Sequence, residues 1–349
     1  MKTSFISSAG FAAARFQSIN TMQKQLSSLQ VEISTGRHAD QGLALGHLTG
    51  EVVSLRGLET QFSSIIDTNG LLSGRLEITQ SALSDLGTTA QSFIETMVPF
   101  RGNPDKAPIT KQAASEYLGQ MTAKLNTTLS GQYLFGGINT EQLPMLEYFD
   151  TPTSAAKTAT DAAFLAHFGF TQSDPLVNSI APADMEAFLD GPFQTLFDAA
   201  NWDANWSNAS ADTQRQRVEP DNYLQIGVSA QERAFAELAS SLIMIADLGV
   251  ENFNRQTFET VVDRAIETAA GANEKLNSIR ASVGLSQERI SDADEAMQVR
   301  MDLLAIQIGE LENVDPYEKT TELNNLLTSL EISYALTGRL QSLRLSNYL

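Results

Sequence analysis

The chain has 349 residues, and its 23 Lys and Arg against 42 Asp and Glu leave a net charge of −19. This excludes partners that must be met by clustered cations, nucleic acid and anionic membrane surfaces alike. There is no cysteine, hence no disulfide framework and no thiol chemistry, and the longest apolar cluster, Leu242 to Ala246, is far too short to span a membrane.

The start, Met1-Lys2-Thr3-Ser4-Phe5-Ile6, has the basic opening of a signal peptide, and Ala12-Ala13-Ala14 would serve as a cleavage site. Ser4, Ser7 and Ser8 interrupt the apolar core and Arg15 closes it early, so a cleaved signal is not expected. Ile19, Met22, Leu26, Leu29 and Ile33 then alternate by three and four residues, a heptad seam that predicts a helix in need of a partner. Gly36 stands at its C-cap position, followed by Arg37 and His38. Asp40 to Gly50 is glycine-rich and predicts a bend, with Leu43, Leu45 and Leu48 available to pack.

From Glu51 to Met97 runs a very long helical pattern. Leu72, Leu76, Thr79, Leu83, Leu86, Ala90, Phe93 and Met97 keep the alternation for nearly four heptads, weakened locally by Gly57, Gly70, Gly74 and Gly87. Pro99 to Pro108 predicts a turn, and Thr110 a cap for a helix to about Gln132 with Tyr117, Met121, Leu125 and Leu129 on one face. Gly131 to Thr140 loses the helical period and marks a boundary. Residues 138 to 227 differ in composition: prolines concentrate between Pro144 and Pro220, both tryptophans (Trp202, Trp206) lie here, and short apolar groups read as a mixture of short helices and strands.

Helical period resumes at Ser229, where Ser229-Ala230-Gln231-Glu232 reads as a capping box before Phe235, Leu238, Leu242 and Ile245, with Gly249 as the stop. A further helix is predicted from Thr257 to Ser282, a break at Gly284-Leu285, a cap at Ser286, and then a second heptad seam of Met297, Met301, Leu304, Ile308 and Leu311. Asp315-Pro316 ends that seam. The last segment is apolar on two sides, with Leu323, Leu326, Leu327, Leu330, Tyr334 and Leu340 on one and Ile332, Leu336 and Leu343 on the other.

Matching stripes at the two ends predict a mainly α fold: a long antiparallel helical bundle or coiled coil from both chain ends, with a small mixed α/β inserted domain at the tip. The boundaries read as 1–40 plus 312–349 for a terminal coiled-coil assembly domain, 41–137 plus 228–311 for a long-helix bundle, and 138–227 for an outward-facing insert. Chemistry is not expected. His38, His47 and His167 have no ligand spacing, and Asp292, Asp294 and Glu295 read as the charged outer face of a helix. There is no P-loop, G-x-S-x-G or G-x-G-x-x-G. Asn126, Asn205 and Asn208 begin glycosylation-type triplets of the kind chance supplies.

Three stretches resemble one family. Leu29-Gln30-Val31-Glu32-Ile33-Ser34-Thr35-Gly36-Arg37 is similar to the end of the first helix and the Ser-Thr-Gly-Lys/Arg turn of the bacterial flagellin superfamily. Leu330 to Leu336 and Leu343 to Leu349 resemble its leucine-rich terminal helix. Gly131-Gln132-Tyr133-Leu134-Phe135-Gly136-Gly137 resembles the G-x-Y-x-F-x-G signature of one branch, the hook–filament junction subfamily (hook-associated protein 3). The chain departs from it with Asp40-Gln41-Gly42-Leu43 where an Asp-Asp-Pro phrase is common, and with Met145 after Pro144 where Phe is usual.

The resemblance implies a structural subunit with no catalysis, cofactor or metal. It implies a homo-oligomeric helical ring, with the first hook-associated protein on the hook side and flagellin on the filament side. A cytoplasmic export chaperone is expected on the C-terminal helix, and export without signal cleavage to the extracellular flagellum. The expected assembly interface is Ile19, Met22, Leu26, Leu29 and Ile33 against Leu323, Leu326, Leu330, Tyr334 and Leu340, with Gly131, Tyr133, Phe135 and Gly137 as the signature. Terminal helices that bury too little surface alone should order on assembly. The alternatives are flagellin itself and, more distantly, a helical hydrolase or a secreted adhesin with its site in the insert.

Overall fold

The computed structural model describes residues 8–346. The signal-like start up to Ser7 and the last three residues of the terminal stretch lie outside the described residues. Helix α1 spans Ser8–Thr35, α2 is a short turn at Gln41–Leu45, α3 runs over Thr49–Met97 and α4 over Ala107–Leu125. A hairpin follows, β1 (Thr128–Leu129) and β2 (Gln132–Tyr133), then α5 (Ala155–Phe168), α6 (Pro182–Phe188) and α7 (Ala199–Asn205). A second hairpin, β3 (Gln214–Glu219) and β4 (Asn222–Ile226), leads to α8 (Arg233–Ala246), α9 (Arg255–Glu312) and α10 (Pro316–Ser346). Both hairpins are antiparallel and isolated from each other.

The chain divides into two compact units. One comprises residues up to Ser63 and from Met297 onward; the other is Ser64–Ala296. In the first, α1 lies beside α10, and the opening of α3 meets the close of α9. Val52 and Phe62 of α3 and Met297, Leu304 and Ile308 of α9 are buried there, so the second heptad seam is covered within the chain.

The second unit holds the main core. Leu76, Leu83, Leu86, Ala90, Phe93 and Met97 of α3, Ala114, Leu118, Met121 and Leu125 of α4, and Phe258, Val262, Ala269 and Leu276 of α9 are buried in one cluster. Helix α8 passes through its middle and is buried on every face, with only Arg233 and Glu237 reaching out. A helix apolar all round belongs in a core. Residues 138–227 share this core. Their aromatic side chains form a chain of ring contacts from Phe164 through Phe188, Phe193 and Phe197 to Trp206, which stacks on Trp202 at 5.2 Å. The Trp202 Nε1 donates to the Ala230 carbonyl at 2.9 Å, just before α8.

Several expected boundaries move, each for a local reason. Helix α9 continues through Gly284-Leu285 without a break over 58 residues. A helical glycine costs about 1 kcal/mol, and the buried side chains of Val283 and Ile290 on either side outweigh that. Ser286 is accordingly no cap; its hydroxyl bonds back to the Ser282 carbonyl. Helix α4 begins at Ala107, three residues before the expected Thr110, because Pro108 is preset for a first helical turn. It ends at Leu125, and Leu129 belongs to the hairpin. The capping box at Ser229 does not form. The Ser229 hydroxyl donates to the Ser210 carbonyl instead, and α8 starts at Arg233. The expected bend at Asp40 to Gly50 is two short helical turns, the first capped by Asp40, whose carboxylate accepts from the Leu43 amide.

Candidate assembly surface and the central signature

Helices α1 and α10 run antiparallel. Glu32 lies 3.5 Å from Lys319 near one end, and Gln23 donates to the Tyr334 hydroxyl at 2.9 Å farther along. Ile19, Met22, Leu26, Leu29 and Ile33 are all half-buried along the α1 side of this pair. On α10 the covered positions are Leu323, Leu326, Leu330, Ser333 and Thr337, a strict 3-4-3-4 progression with Leu330 only 5% exposed. Tyr334 is one position out of that phase and lies 51% exposed at the edge, so it does not belong to the intrachain seam. The side chain of Leu340 lies outside the described residues. Ser333 and Thr337 are tolerated in the seam because each hydroxyl bonds to the carbonyl four residues earlier.

The predicted interface is thus largely spent within the chain. Other apolar side chains on these two helices stand exposed: Phe16 and Val31 on α1, and Leu327, Ile332, Tyr334 and Leu336 on α10. Sequence reasoning assigned Ile332 and Leu336 to a second face, but it missed Phe16 and Val31. Both fall outside the α1 heptad phase, which was the available signal.

The root of the pair is closed by hydrogen bonds. Gly36 takes a left-handed φ of +69° and ends α1, its amide bonding the Glu32 carbonyl. Its own carbonyl accepts from Val314, and the His38 amide donates to the Glu312 carbonyl. The Glu32 carboxylate accepts from the Ala39 amide and pairs with Lys319. The Lys319 ammonium is held above the usual lysine range, first by its bond to Glu322, against desolvation and with further help from Glu32. The Glu312 side chain is fully buried and is met by Arg56 through Nε at 3.0 Å and Nη2 at 2.5 Å, with Arg37 at 3.7 Å. That bond to Glu312 raises the Arg56 guanidinium above its ordinary range.

The signature residues lie in the second unit. Ser130 and Gly131 both have positive φ, 53° and 81°, which a two-residue type I′ hairpin demands. The half-buried Tyr133 bonds through its backbone, its amide to the Thr140 carbonyl and its carbonyl to Arg75. Phe135 is fully buried, and its carbonyl accepts from Ala230. Gly137 has φ +63°, and a Cβ built there would lie 2.3 Å from the Ser210 carbonyl oxygen and 2.6 Å from that of Asp212. A Cβ built on Gly136 would likewise lie 2.6 Å from the Asn139 carbonyl oxygen. The motif is a ribbon threaded between residues 209–212 and 229–230, with glycines where backbone meets backbone.

Several polar groups elsewhere are tied into the fold. Asp294, expected on an outer face, is half-buried and accepts from Asn69 at 2.6 Å, while Asn69 also donates to the Val218 carbonyl. Burial raises the Asp294 carboxyl, and the Asn69 bond partly offsets it. Asp292 and Glu295 are exposed, as expected. Tyr148 donates to Asp247 at 2.6 Å, and Lys157 bridges Asp247 and Asp161. Asn126 uses both amide atoms on the Met145 backbone, so its triplet is not free for modification. Among the described residues no group of His, Cys, Asp and Glu is placed to hold a metal ion.

Residues 6–140 match the bacterial flagellin N-terminal helical region, and residues 266–349 match the bacterial flagellin C-terminal helical region. Together these span well over half of the chain. The chain belongs to the bacterial flagellin family.

The two matched regions take in α1 to α4 with the first hairpin, most of α9, and α10. The N-terminal match closes at Thr140, just beyond the signature ribbon. Residues 141–265 match neither region. No curated protein sequence matches it. A solved structure described as a flagellar hook-associated protein of Vibrio parahaemolyticus is similar, at 10% identity with a TM-score of 0.49 over 74% of this chain and 96% of that one. A likeness of that degree adds no weight to the family assignment, which the two matched regions carry. No helix among the described residues is long and apolar enough to cross a membrane.

Proposed function

We propose that this flagellin-family subunit forms the junction between hook and filament, acting by packing alone. The observation that carries the reading is the ribbon Gly131-x-Tyr133-x-Phe135-x-Gly137. Its resemblance is to the junction branch, and Gly131, Phe135 and Gly137 each have a demanding structural role here, while Tyr133 contributes through its backbone. In this reading subunits associate into a short helical ring through the terminal pair, with the first hook-associated protein below and flagellin above. The chain is exported to the cell exterior without signal cleavage, and a cytoplasmic chaperone covers α10 beforehand. Exposed Leu327 and Tyr334 on one side of α10, and Ile332 and Leu336 on the other, give such a partner apolar surface to cover.

Flagellin itself is the second reading, supported by the two matched terminal regions, which are described as flagellin's own. A clean deletion strain separates the two. Bare hooks with flagellin lost to the medium as monomer support the junction. Bare hooks with the major exported filament protein itself missing make this chain the filament subunit.

A further inference from the structure

Glu312 ends α9, has no exposed surface, and is the point where the exit of α1, the opening of α3 and the turn into α10 converge. Its two cationic partners are not equivalent. Arg56, on α3, binds both carboxylate oxygens at 3.0 and 2.5 Å. Arg37, just past the end of α1, approaches only one oxygen, at 3.7 Å; the two side chains are similarly exposed, 52% and 44%, so distance and the two-point contact set them apart. Around the carboxylate two backbone bonds of antiparallel type, Val314 to Gly36 at 2.9 Å and His38 to Glu312 at 3.1 Å, tie the α1 exit to the α9–α10 turn.

We propose that Glu312 is a reversible clasp that docks the terminal helix pair on the ends of the two long helices. Arg56 is its permanent arm and Arg37 its releasable one. The physical reason lies in the cost of an unpaired buried charge. A buried carboxylate that loses its only partner is strongly destabilising. Here Arg56 still neutralises it when Arg37 and the two backbone bonds let go. Undocking then exposes a short stretch of backbone to water, where new partners are at hand, and leaves no naked ion behind. Docking adds the second arginine and the two backbone bonds together, so order at the α1 exit and order at the α10 start arrive as one event. Nothing in this depends on which flagellar position the subunit occupies.

Hydrogen exchange on the full-length chain tests the clasp, read at the His38 and Val314 amides with the α8 amides as control. Arg37→Ala is expected to speed exchange at both amides about tenfold, the factor that about 1.4 kcal/mol of docking free energy represents, with α8 unchanged. Arg56→Ala is expected to speed both further, because it leaves Glu312 without its main partner. Arg37→Lys is expected to restore part of the protection. Three outcomes overturn the proposal: neither amide is protected in the parent chain, Arg37→Ala changes nothing at them, or Arg37→Ala is as damaging as Arg56→Ala.

Discussion

The Phe135 ring meets the Phe235 ring edge-on, with centroids 5.9 Å apart and planes at 86°. One belongs to the signature ribbon and the other to the first turn of α8, and neither has exposed surface. This contact fixes the ribbon against the helix at the centre of the larger unit. Phe135→Ala removes a fully enclosed ring, and such truncations cost about 3–5 kcal/mol. Thermal or urea unfolding of the full chain should show that loss in the transition of the larger unit. A change below about 1 kcal/mol would mean the ribbon is not part of its core.

The two signature glycines separate two kinds of requirement. Gly131 has φ +81° with open space around a Cβ, whereas Gly137 combines φ +63° with carbonyl oxygens that would lie 2.3 and 2.6 Å from an added Cβ. Gly131→Ala should cost about 1–2 kcal/mol for the left-handed backbone alone. Gly137→Ala should cost clearly more, since two backbone segments must also move apart. Equal midpoints in urea for the two variants would contradict the close packing at Gly137.

Leu330→Asp places a charge at the most buried described position of α10 in the α1–α10 seam, where the parent side chain is 5% exposed. It should abolish assembly and lower helicity, while the unfolding transition of residues 64–296 stays within about 0.5 kcal/mol of the parent, as for a distant site. Tyr334→Ser should behave differently. Tyr334 is 51% exposed, so the seam should persist while assembly weakens. Sedimentation and circular dichroism on both variants read the two effects apart, and normal assembly of Leu330→Asp would refute the role of the seam.

Alkaline pH should loosen the larger unit through Tyr148 and Lys157. Burial, then the neighbouring Asp247 carboxylate, holds the Tyr148 hydroxyl well above the ordinary tyrosine range. Lys157 is also raised: burial works against its charge, but its bonds to Asp161 and Asp247 prevail. Both groups therefore keep their protons longer folded than unfolded. Their contribution is fully present below about pH 10 and fades above it, as the unfolded chain begins to release protons that the folded one retains. For one such group the slope approaches about 1.4 kcal/mol per pH unit. Tyr148→Phe should be less stable than the parent at pH 8, having lost the bond to Asp247, and should show a shallower decline above pH 10. Parallel curves for the two proteins would exclude Tyr148 as the source.

Part of the fold is legible in the one-dimensional pattern. The 3-4 alternation from Leu72 to Met97 foretold α3, and the stripes Ile19 to Ile33 and Leu323 to Leu330 foretold an antiparallel terminal pair. Side-chain periodicity is a local property of the helix, so it survives whatever packs against it. Misreadings arose where a residue had a choice of partner. Ser229 looked like a cap but serves Ser210, far away in sequence. Gly284 looked like a break, yet buried neighbours carry the helix across it. Tyr334 looked like a seam residue because it is apolar, although the phase set by Leu323, Leu326 and Leu330 puts it at the edge.

The sequence by itself therefore determined the helices, their pairing at the chain ends and the family, since each is written in spacing and in short contiguous phrases. Only the tertiary structure decided that α8 is enclosed on all sides, that residues 138–227 contribute to the same core, and that Glu312 meets Arg56 across 256 positions of sequence. Enclosure and charge pairing depend on which distant segments arrive at the same place. No periodicity records that, because the free energy of burying a ring or an ion is set by the neighbours the fold supplies.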